Sequence, residues 1–178
     1  MGSFFSSLFN WYSQKEIEVA IIGIENCGKT TLATQLQLNH VPSTERIPTM
    51  TMNYKLFRRG HVLVKMMDLP GHRSCRQQWV NLIKCCHAVI FMVDSTLLDH
   101  EESIEALKNV LPLLRSQSLP LLLVSNKVDL SSSVPLDQIM PSFSSLIGDD
   151  IPMVSCEVSA LTGKYVSKII TWVLQHAS

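Results

Sequence analysis

The sequence predicts an α/β fold in which helices cover both faces of a six-stranded, mainly parallel sheet. Short apolar runs alternate with segments of helical periodicity along most of the chain, and this alternation is typical of strand–helix–strand units. The later runs are apolar throughout, as expected for strands that are buried on both faces. A length of 178 residues is enough for one domain with a substantial core.

The predicted strands and helices follow one another in a regular order. The strands are Ile17–Ile22, Tyr54–Arg59, Val62–Met67, Ala88–Val93, Leu119–Val124 and Ile151–Val154. The helices are Thr30–Leu38, Trp79–Lys84, Glu101–Arg115 and Lys164–His176. Because the segments Tyr54–Arg59 and His61–Met67 flank the single Gly60, we expect an antiparallel hairpin there and one antiparallel edge strand. The serine-rich segment 131–135 predicts a surface loop.

Charge and cysteine content exclude two classes of protein. Basic and acidic residues balance at 15 each, so there is no positive excess with which to bind nucleic-acid phosphates. The five cysteines form no C-x-x-C pair, which predicts free thiols in a reducing compartment and not a disulfide framework.

A glycine-containing loop between the first strand and the first helix predicts a phosphate site. The segment 23–30 reads GIENCGKT. Glycines permit a backbone path whose N–H groups point inward, and the following helix N-terminus favours anions. The residues expected to hold the phosphates are Gly23, Glu25, Asn26, Cys27, Gly28, Lys29, Thr30 and Thr31. Among them, we expect Lys29 to reach the terminal phosphates and the Thr30 hydroxyl to bind Mg²⁺.

The phosphate loop alone fits a kinase, an ATPase or a GTPase, and a second motif selects the base. The segment NKVD at 126–129 follows a buried strand, where open α/β sheets bind their ligands. The Asp129 carboxylate can accept from both the N1–H and the 2-amino group of guanine, a donor pair that adenine lacks. Asn126 can bind the polar edge of the purine, and the Lys127 stem can lie along the ring. Ser159 and Ala160 follow the last strand, where we expect the Ala160 N–H to meet the guanine oxygen.

Two further segments complete a nucleotide site. The segment DLPG at 68–71 follows the third strand. We expect Asp68 to hold the Mg²⁺ shell through water and the Gly71 N–H to meet the γ-phosphate. Thr49 lies between the first helix and the hairpin, where its hydroxyl and carbonyl can bind Mg²⁺ and the γ-phosphate, so that GTP orders this loop and GDP releases it.

In this order, the five elements resemble those of Ras-like small GTPases, and the likeness covers essentially the whole chain. Three details are similar to the ADP-ribosylation-factor-like (Arf-like) branch. They are Glu25 third in the phosphate loop, Pro48–Thr49 followed by Asn53, and Trp79 eleven residues after Asp68. The segments IPT at 47–49, FMVD at 91–94 and WVLQH at 172–176 look most like the lysosomal Arf-like branch.

The resemblance implies a monomeric switch that binds GTP or GDP with Mg²⁺ and hydrolyses GTP slowly. It implies protein partners of three kinds: effectors, an exchange factor and a GTPase-activating protein. It also implies a place on the cytosolic face of endomembranes, with the lysosome or late endosome expected and the Golgi as the alternative. The catalytic residues that it implies are Lys29, Gly71 and His72.

The sequence departs from the family pattern in both switch segments. Thr51 stands at a usual glycine, Met67 at a usual tryptophan and His72 at the catalytic glutamine. Methionine predicts a more adaptable effector surface. The segment 68–72 also resembles that of translational GTPases, so we expect a neutral His72 to position water when an activating protein docks. Pro70, His72 and Thr51 favour one alternative, a GTP-binding scaffold without hydrolysis. A P-loop kinase is a further alternative, which the segment 126–129 disfavours.

Residues 1–15 predict a membrane-associating helix ahead of a GTPase domain at 16–178. Five apolar residues share one helical face; they are Phe4, Phe5, Leu8, Phe9 and Tyr12. Gly2 begins a pattern that fits N-myristoylation. One acyl chain binds membranes weakly, so the aromatic face would supply the second signal. The resemblance implies that GTP shifts the hairpin and releases this helix. A helix that only caps the core is the alternative.

Overall fold

The computed structural model of the protein describes residues 15–38 and 52–177. The predicted N-terminal helix up to residue 14, the expected ligand Thr49 and the substituted position Thr51 lie outside these ranges. The strands are β1 (Lys15–Ile22), β2 (Asn53–Arg59), β3 (Val62–Asp68), β4 (Ala88–Asp94), β5 (Leu121–Asn126) and β6 (Met153–Val158). The helices are α1 (Lys29–Leu38), α2 (Trp79–Ile83), α3 (Glu101–Lys108), α4 (Leu111–Gln117), α5 (Leu136–Ile147) and α6 (Val166–Gln175). A 3₁₀ helix, Arg73–Gln78, leads into α2.

The six strands form one sheet in the order β2-β3-β1-β4-β5-β6. All neighbouring pairs are parallel except β2 with β3, so the predicted fold class and its antiparallel edge strand are confirmed. The hairpin turn has two residues, Gly60 and His61, because Arg59 pairs with Val62. Gly60 adopts a φ of 58°, a left-handed conformation that favours glycine at such turns.

The helices pack in two layers, one on each face of the sheet. Helix α1 contacts α6, β2 and β3, whereas α3 contacts α4 and α5. Strands β4 and β5 are buried along their whole length, as their continuous apolar sequence predicts. The largest fully buried aromatic side chains are Trp79, Phe91 and Phe143. The core therefore lies on both sides of the central strands.

Two helix predictions need correction. The predicted helix Glu101–Arg115 is interrupted between α3 and α4, where Pro112 lies in the first turn of α4. Proline has no N–H to donate to the carbonyl four residues earlier, so one continuous helix loses a hydrogen bond there. Helix α5 was not predicted, since Pro141 and several serines oppose a helix. It forms because every fourth residue of one face is buried; these residues are Ile139, Phe143 and Ile147.

The last strand lies later in the chain than predicted. The sequence placed it at Ile151–Val154, whereas β6 runs from Met153 to Val158. Pro152 cannot donate to the sheet and precedes the strand, although its carbonyl accepts from Leu121 N at 2.9 Å. Only Cys156 and Val158 of this edge strand are buried, and Ser155 and Glu157 interrupt its apolar residues, so the strand forms no continuous apolar run.

The strand register brings the predicted motifs to one edge of the sheet. Asp68 at the end of β3 pairs with Ile21 near the end of β1. Asn126 at the end of β5 pairs with Asp94 on one side and Val158 on the other. Since these are the carboxyl ends of parallel strands, the loops that follow them meet in the place where such sheets bind ligands.

Candidate functional site

The loop between β1 and α1 has the backbone of a phosphate cradle. Gly23, Asn26 and Gly28 adopt φ values of 145°, 59° and 101°, and α1 begins at Lys29, directly after the last of them. A side chain at Gly28 would overlap the Asn126 amide, and one at Gly23 would overlap a backbone carbonyl of β4. Positive φ and close approach together require glycine at both positions.

Lys29 is buried and folds back over this loop. Its Nζ donates to the Ile24 carbonyl at 2.6 Å and lies 3.7 Å from Cys27 Sγ. In the part of the chain that the structure describes, no ion pair involves Lys29. A buried ammonium without an anionic partner is costly, so this environment fits a phosphate group.

The thiol of Cys27 belongs to the wall of this loop. It is fully buried. Burial raises the pKa of the Cys27 thiol, although the nearby Lys29 ammonium opposes this shift. A protonated buried thiol is a poor nucleophile, so Cys27 contributes packing and backbone groups to the cradle.

Thr30 and Asp68 form an oxygen pair that suits a magnesium ion. The Thr30 hydroxyl donates to Asp68 Oδ2 at 2.5 Å, and Asp68 is fully buried. The described residues contain no cluster of three or more His, Cys, Asp or Glu that would hold a metal. Mg²⁺ is commonly bound by one or two protein oxygens together with phosphates and water, so the pair fits Mg²⁺ that arrives with a nucleotide.

Asn126, the last residue of β5, joins two loops of the site. It is 3% exposed, its Nδ2 donates to the Cys27 carbonyl at 2.8 Å, and its Oδ1 accepts from Ala160 N at 2.9 Å. Sequence reasoning expected the Ala160 N–H to face guanine, but here this N–H is directed at Asn126. Asn126 therefore clamps the phosphate loop to the loop after β6, and its contact with a purine stays a prediction.

Lys127 and Asp129 differ in their surroundings. Lys127 adopts a φ of 73° and its Nζ lies 2.5 Å from Asp94 Oδ2. Asp94 also accepts from Thr96. Burial raises the pKa of Asp94, but hydrogen bonds from Lys127 and Thr96 outweigh it and hold the pKa below its ordinary value. The Asp129 carboxylate is exposed and makes no hydrogen bond or ion pair with another described residue, so it can accept from a ligand.

The remaining predicted base-site residue, Ser159, is structural in this conformation. It is fully buried, and its hydroxyl accepts from Thr162 N at 3.0 Å. Its own N–H donates to the Lys164 carbonyl at 3.0 Å. These bonds close the loop that carries Ala160.

Gly71 lies against the phosphate loop, as the predicted site requires. A Cβ built on Gly71 would be 2.5 Å from Lys29 Nζ and 2.7 Å from the Gly23 carbonyl oxygen. The carbonyls of Pro70 and Gly71 accept hydrogen bonds from Trp79 and Arg76, respectively. Neither contact was predicted, and the local sequence around Arg76 carries no signal for it.

His72 is exposed and turned toward the start of the 3₁₀ helix. Its Nδ1 lies 2.8 Å from Ser74 Oγ and accepts from Ser74 N at 3.4 Å. The ring therefore caps that helix through one nitrogen and leaves Nε2 for other contacts. Its expected part in positioning water stays a prediction.

Comparison with known proteins agrees with the motifs. The sequence model described as the ADP-ribosylation factor family matches residues 1–177. ADP-ribosylation factor-like protein 8c of Arabidopsis thaliana is 25% identical over 176 residues, covering 96% of this chain and 95% of that protein. ADP-ribosylation factor-like protein 1 of Saccharomyces cerevisiae is 29% identical over 179 residues, covering 98% and 96%.

Solved structures show the same fold. The small GTPase Arl6 BBS3 from Trypanosoma brucei, solved with the nucleotide analogue GppNp, superposes with a TM-score of 0.76 at 24% identity, covering 90% of this chain and 96% of that one. The mammalian SRP receptor structure superposes with a TM-score of 0.79 at 21% identity, covering 90% and 100%. The chain therefore belongs to the ADP-ribosylation factor family, and it is a small GTPase that binds GTP and GDP with Mg²⁺ and hydrolyses GTP.

Proposed function

We propose that this small GTPase is a monomeric switch that couples its nucleotide state to membrane attachment and recruits effectors in endomembrane trafficking. The observation that carries the nucleotide part is the buried Lys29 ammonium, which lies beside Gly71 without an anionic partner among the described residues. A phosphate at this place would neutralise the ammonium and contact both loops. The proposed site thus responds to the presence of a terminal phosphate.

In the proposed phosphate site, residues 23–31 surround the phosphates with backbone N–H groups. Lys29 contacts the terminal phosphates, and the Gly71 N–H donates to the γ-phosphate. Thr30, Asp68 and Thr49 would hold Mg²⁺, which supplies charge neutralisation of the phosphates when bound. Thr49 enters on sequence grounds only.

In the proposed base site, Asp129 selects guanine. Its exposed carboxylate matches the two adjacent donors of that base, and Lys127 lies beside it with its ammonium held by Asp94. Asn126 and Ala160 complete the proposed base site, and Ser159 holds the loop that carries Ala160. Asp129→Ala should weaken GTP binding about 10²-fold to 10⁴-fold, because two charge-assisted hydrogen bonds are lost at about 1.5–3 kcal/mol each.

Calorimetry with GTP, GDP and ATP tests this assignment. Asp149→Ala is the matched control, since Asp149 is also an exposed aspartate in a loop but lies outside the proposed site. The wild type and the control should bind GTP and GDP and should not bind ATP. Equal affinity for ATP and GTP, or unchanged GTP affinity in Asp129→Ala, would refute the proposed base site.

For hydrolysis, we propose that His72 positions the attacking water only when an activating protein docks. The exposure of His72 and its hydrogen bonds to Ser74 support this proposal, because a docking partner can reach the ring and redirect it. Single-turnover hydrolysis with candidate activating proteins, compared between wild type and His72→Ala, tests it. Equal stimulated rates in the two proteins would show that His72 has no such role.

A scaffold that binds GTP without hydrolysing it is the second candidate. The same orientation of His72 toward Ser74 favours it, as does Pro70 within the segment that follows β3. The two candidates differ in one measurement: the scaffold retains bound GTP over hours with and without candidate activators, whereas the switch releases phosphate under at least one of these conditions.

We further propose that residues 1–15 form a membrane-associating helix and that residues 16–178 form the GTPase domain. Lys15 already belongs to β1, so the proposed helix would end before Lys15 and lead directly into the sheet. No described helix is long and apolar enough to cross a membrane. Sequence likeness to the lysosomal branch supports the lysosome or late endosome as the site of action, with the Golgi as the alternative, and Gly2 as a myristoylation site.

Flotation on liposomes tests the coupling to membranes. GTP-analogue-loaded protein should float with the vesicles, and GDP-loaded protein should remain in the lower fractions. Replacing Phe4, Phe5 and Phe9 with serine should abolish flotation without changing nucleotide affinity. Equal flotation in the two nucleotide states would contradict the coupling.

A further inference from the structure

Two buried side chains hold two successive peptide groups in the loop after β3. Trp79 Nε1 donates to the Pro70 carbonyl oxygen at 3.0 Å, and Arg76 Nε donates to the Gly71 carbonyl oxygen at 2.8 Å. Trp79 is fully buried and Arg76 is 4% exposed. Because both anchors are removed from solvent, the two peptide groups have defined orientations.

These orientations determine where the neighbouring N–H groups point. In a trans peptide the C=O and the N–H point in opposite directions, and the described residues contain no cis peptide bond. The Gly71 N–H therefore points away from Trp79, and the His72 N–H points away from Arg76. Gly71 itself packs against Lys29 and Gly23, so the anchors hold the proposed γ-phosphate donor beside the phosphate loop.

Arg76 is in turn held by an acidic residue of α3. Its guanidinium lies 2.5 Å from Glu102 Oε1. A nearby pair, Arg73 with Glu105, joins the same two elements through two bonds of 2.9 and 2.8 Å. This second pair is exposed: 72% of the Arg73 side chain and 57% of the Glu105 side chain are accessible to solvent. Among the described residues, these two side chains form hydrogen bonds with each other and not with the backbone of the loop.

A cavity of about 400 Å³ lies beside these ion pairs. The residues that line it are Arg73, Arg76, Gln77, Val80, Glu105 and Asn109. The cavity is lined by residues of both the 3₁₀ helix and α3, the two elements that these ion pairs join.

We propose that Arg76 is a positioning residue that sets GTP over GDP preference, and that Glu102 acts through Arg76. This inference rests on the proposed nucleotide site. Trp79 fixes the peptide group that carries the Gly71 N–H, and Arg76 fixes the next peptide group, so the two hydrogen bonds together limit backbone rotation at Gly71. Only GTP carries a γ-phosphate for the Gly71 N–H, and a pre-oriented donor binds an anion better than a mobile one. Loss of the Glu102–Arg76–Gly71 connection therefore weakens GTP binding and leaves GDP binding unchanged.

The test compares two glutamates of α3. Glu102→Gln removes the charge that holds Arg76, and Glu105→Gln removes the charge of the exposed pair. Both side chains are more than half exposed, so both variants should fold. We expect Glu102→Gln to lower the ratio of GTP-analogue affinity to GDP affinity about threefold to tenfold, as for loss of one charge-assisted interaction, and Glu105→Gln to leave it unchanged.

Arg76→Lys is the second variant, because it keeps the charge and loses the forked geometry that reaches both Glu102 and Gly71. It should lower the same ratio by a similar factor and slow single-turnover hydrolysis. Calorimetry with a non-hydrolysable GTP analogue and with GDP gives the ratios, and thermal unfolding of the GDP-bound proteins checks their integrity. A purely structural role would weaken both nucleotides equally, and that result would overturn the inference.

The outcomes separate this inference from the proposed site. If the wild type fails to bind guanine nucleotides, the proposed nucleotide site itself is wrong. If the wild type binds them and both Glu102→Gln and Glu105→Gln have the same ratio of GTP-analogue affinity to GDP affinity as the wild type, the proposed nucleotide site is retained. The proposed role of Arg76 is then wrong.

Discussion

Asn126 offers a stringent test of how the site is held together. Its side chain is 3% exposed and bonds the Cys27 carbonyl on one loop and the Ala160 N–H on another. Both backbone partners are also buried. Asn126→Ala removes the amide and leaves one buried acceptor and one buried donor without their partners.

The magnitude follows from these two groups. Each buried polar group that loses its partner costs about 1–3 kcal/mol. Water entering the vacated space recovers part of this, so we expect the free energy of unfolding to fall by about 2–4 kcal/mol. For a domain of this size, that corresponds to a drop in Tm of roughly 4–16 °C. Urea unfolding followed by circular dichroism measures the free energy, and a thermal scan measures Tm.

The neighbouring Ser125 provides the control. It is also buried in β5, but its hydroxyl has no hydrogen-bond partner among the described residues. Ser125→Ala should therefore leave stability within about 0.5 kcal/mol of the wild type or raise it, since an unpaired buried hydroxyl is removed. If Asn126→Ala proves as stable as Ser125→Ala, the two hydrogen bonds do not hold the loops, and the clamp is refuted.

Three further predictions concern glycine, cysteine and acid stability. Gly28→Ala should lower the free energy of unfolding by more than about 2 kcal/mol, because φ is 101° and a side chain would overlap its neighbour. Gly60→Ala should lower the free energy of unfolding by only about 1 kcal/mol, because no atom lies within 4 Å of a Cβ built at this position. Denaturant titration of both variants measures the two changes. Burial raises the pKa of the Cys86 thiol to about 12, so iodoacetamide at pH 8 should label the exposed Cys85 first; mass spectrometry showing Cys86 labelled first would contradict this. Because the pKa of Asp94 is lowered in the folded protein, the ionised carboxylate stabilises the fold. This stabilisation is fully present above the ordinary pKa range of aspartate and is lost as the pH falls through the lowered pKa. The stability gap between wild type and Asp94→Asn should accordingly narrow on acidification, and a gap that is constant between pH 7 and pH 2 would contradict it.

The fold was predictable wherever a single physical signal dominated. Continuous apolar runs identified the central strands, and the hairpin followed from Gly60 between two strands. The prediction failed where local and tertiary preferences disagree. Pro141 argues locally against α5, but burial of Phe143 and its neighbours in the core outweighs that cost. The edge strand β6 was displaced in the prediction because its polar residues Ser155 and Glu157 break the apolar run and only two of its residues are buried.

For the candidate site, the sequence indicated which residues gather, and the structure shows what each one touches. Thr30 and Asp68 lie far apart in the chain, yet they are in hydrogen-bond contact. Three contacts had no local signal: Arg76 with Gly71, Lys127 with Asp94, and Asn126 with Ala160. The second and third join segments whose approach depends on the strand order. The first spans only five residues, but it depends on the turn that leads into the 3₁₀ helix, so residue spacing alone could not reveal these contacts.

The sequence by itself determined the family, the parallel sheet and the loops that carry the nucleotide chemistry, because glycine placement, apolar runs and short motifs act locally. Only the tertiary structure decided which groups orient those loops. Long side chains such as Arg76 bridge elements that the chain brings together from distant positions, and their bonds depend on packing across the sheet edge, which no local pattern encodes.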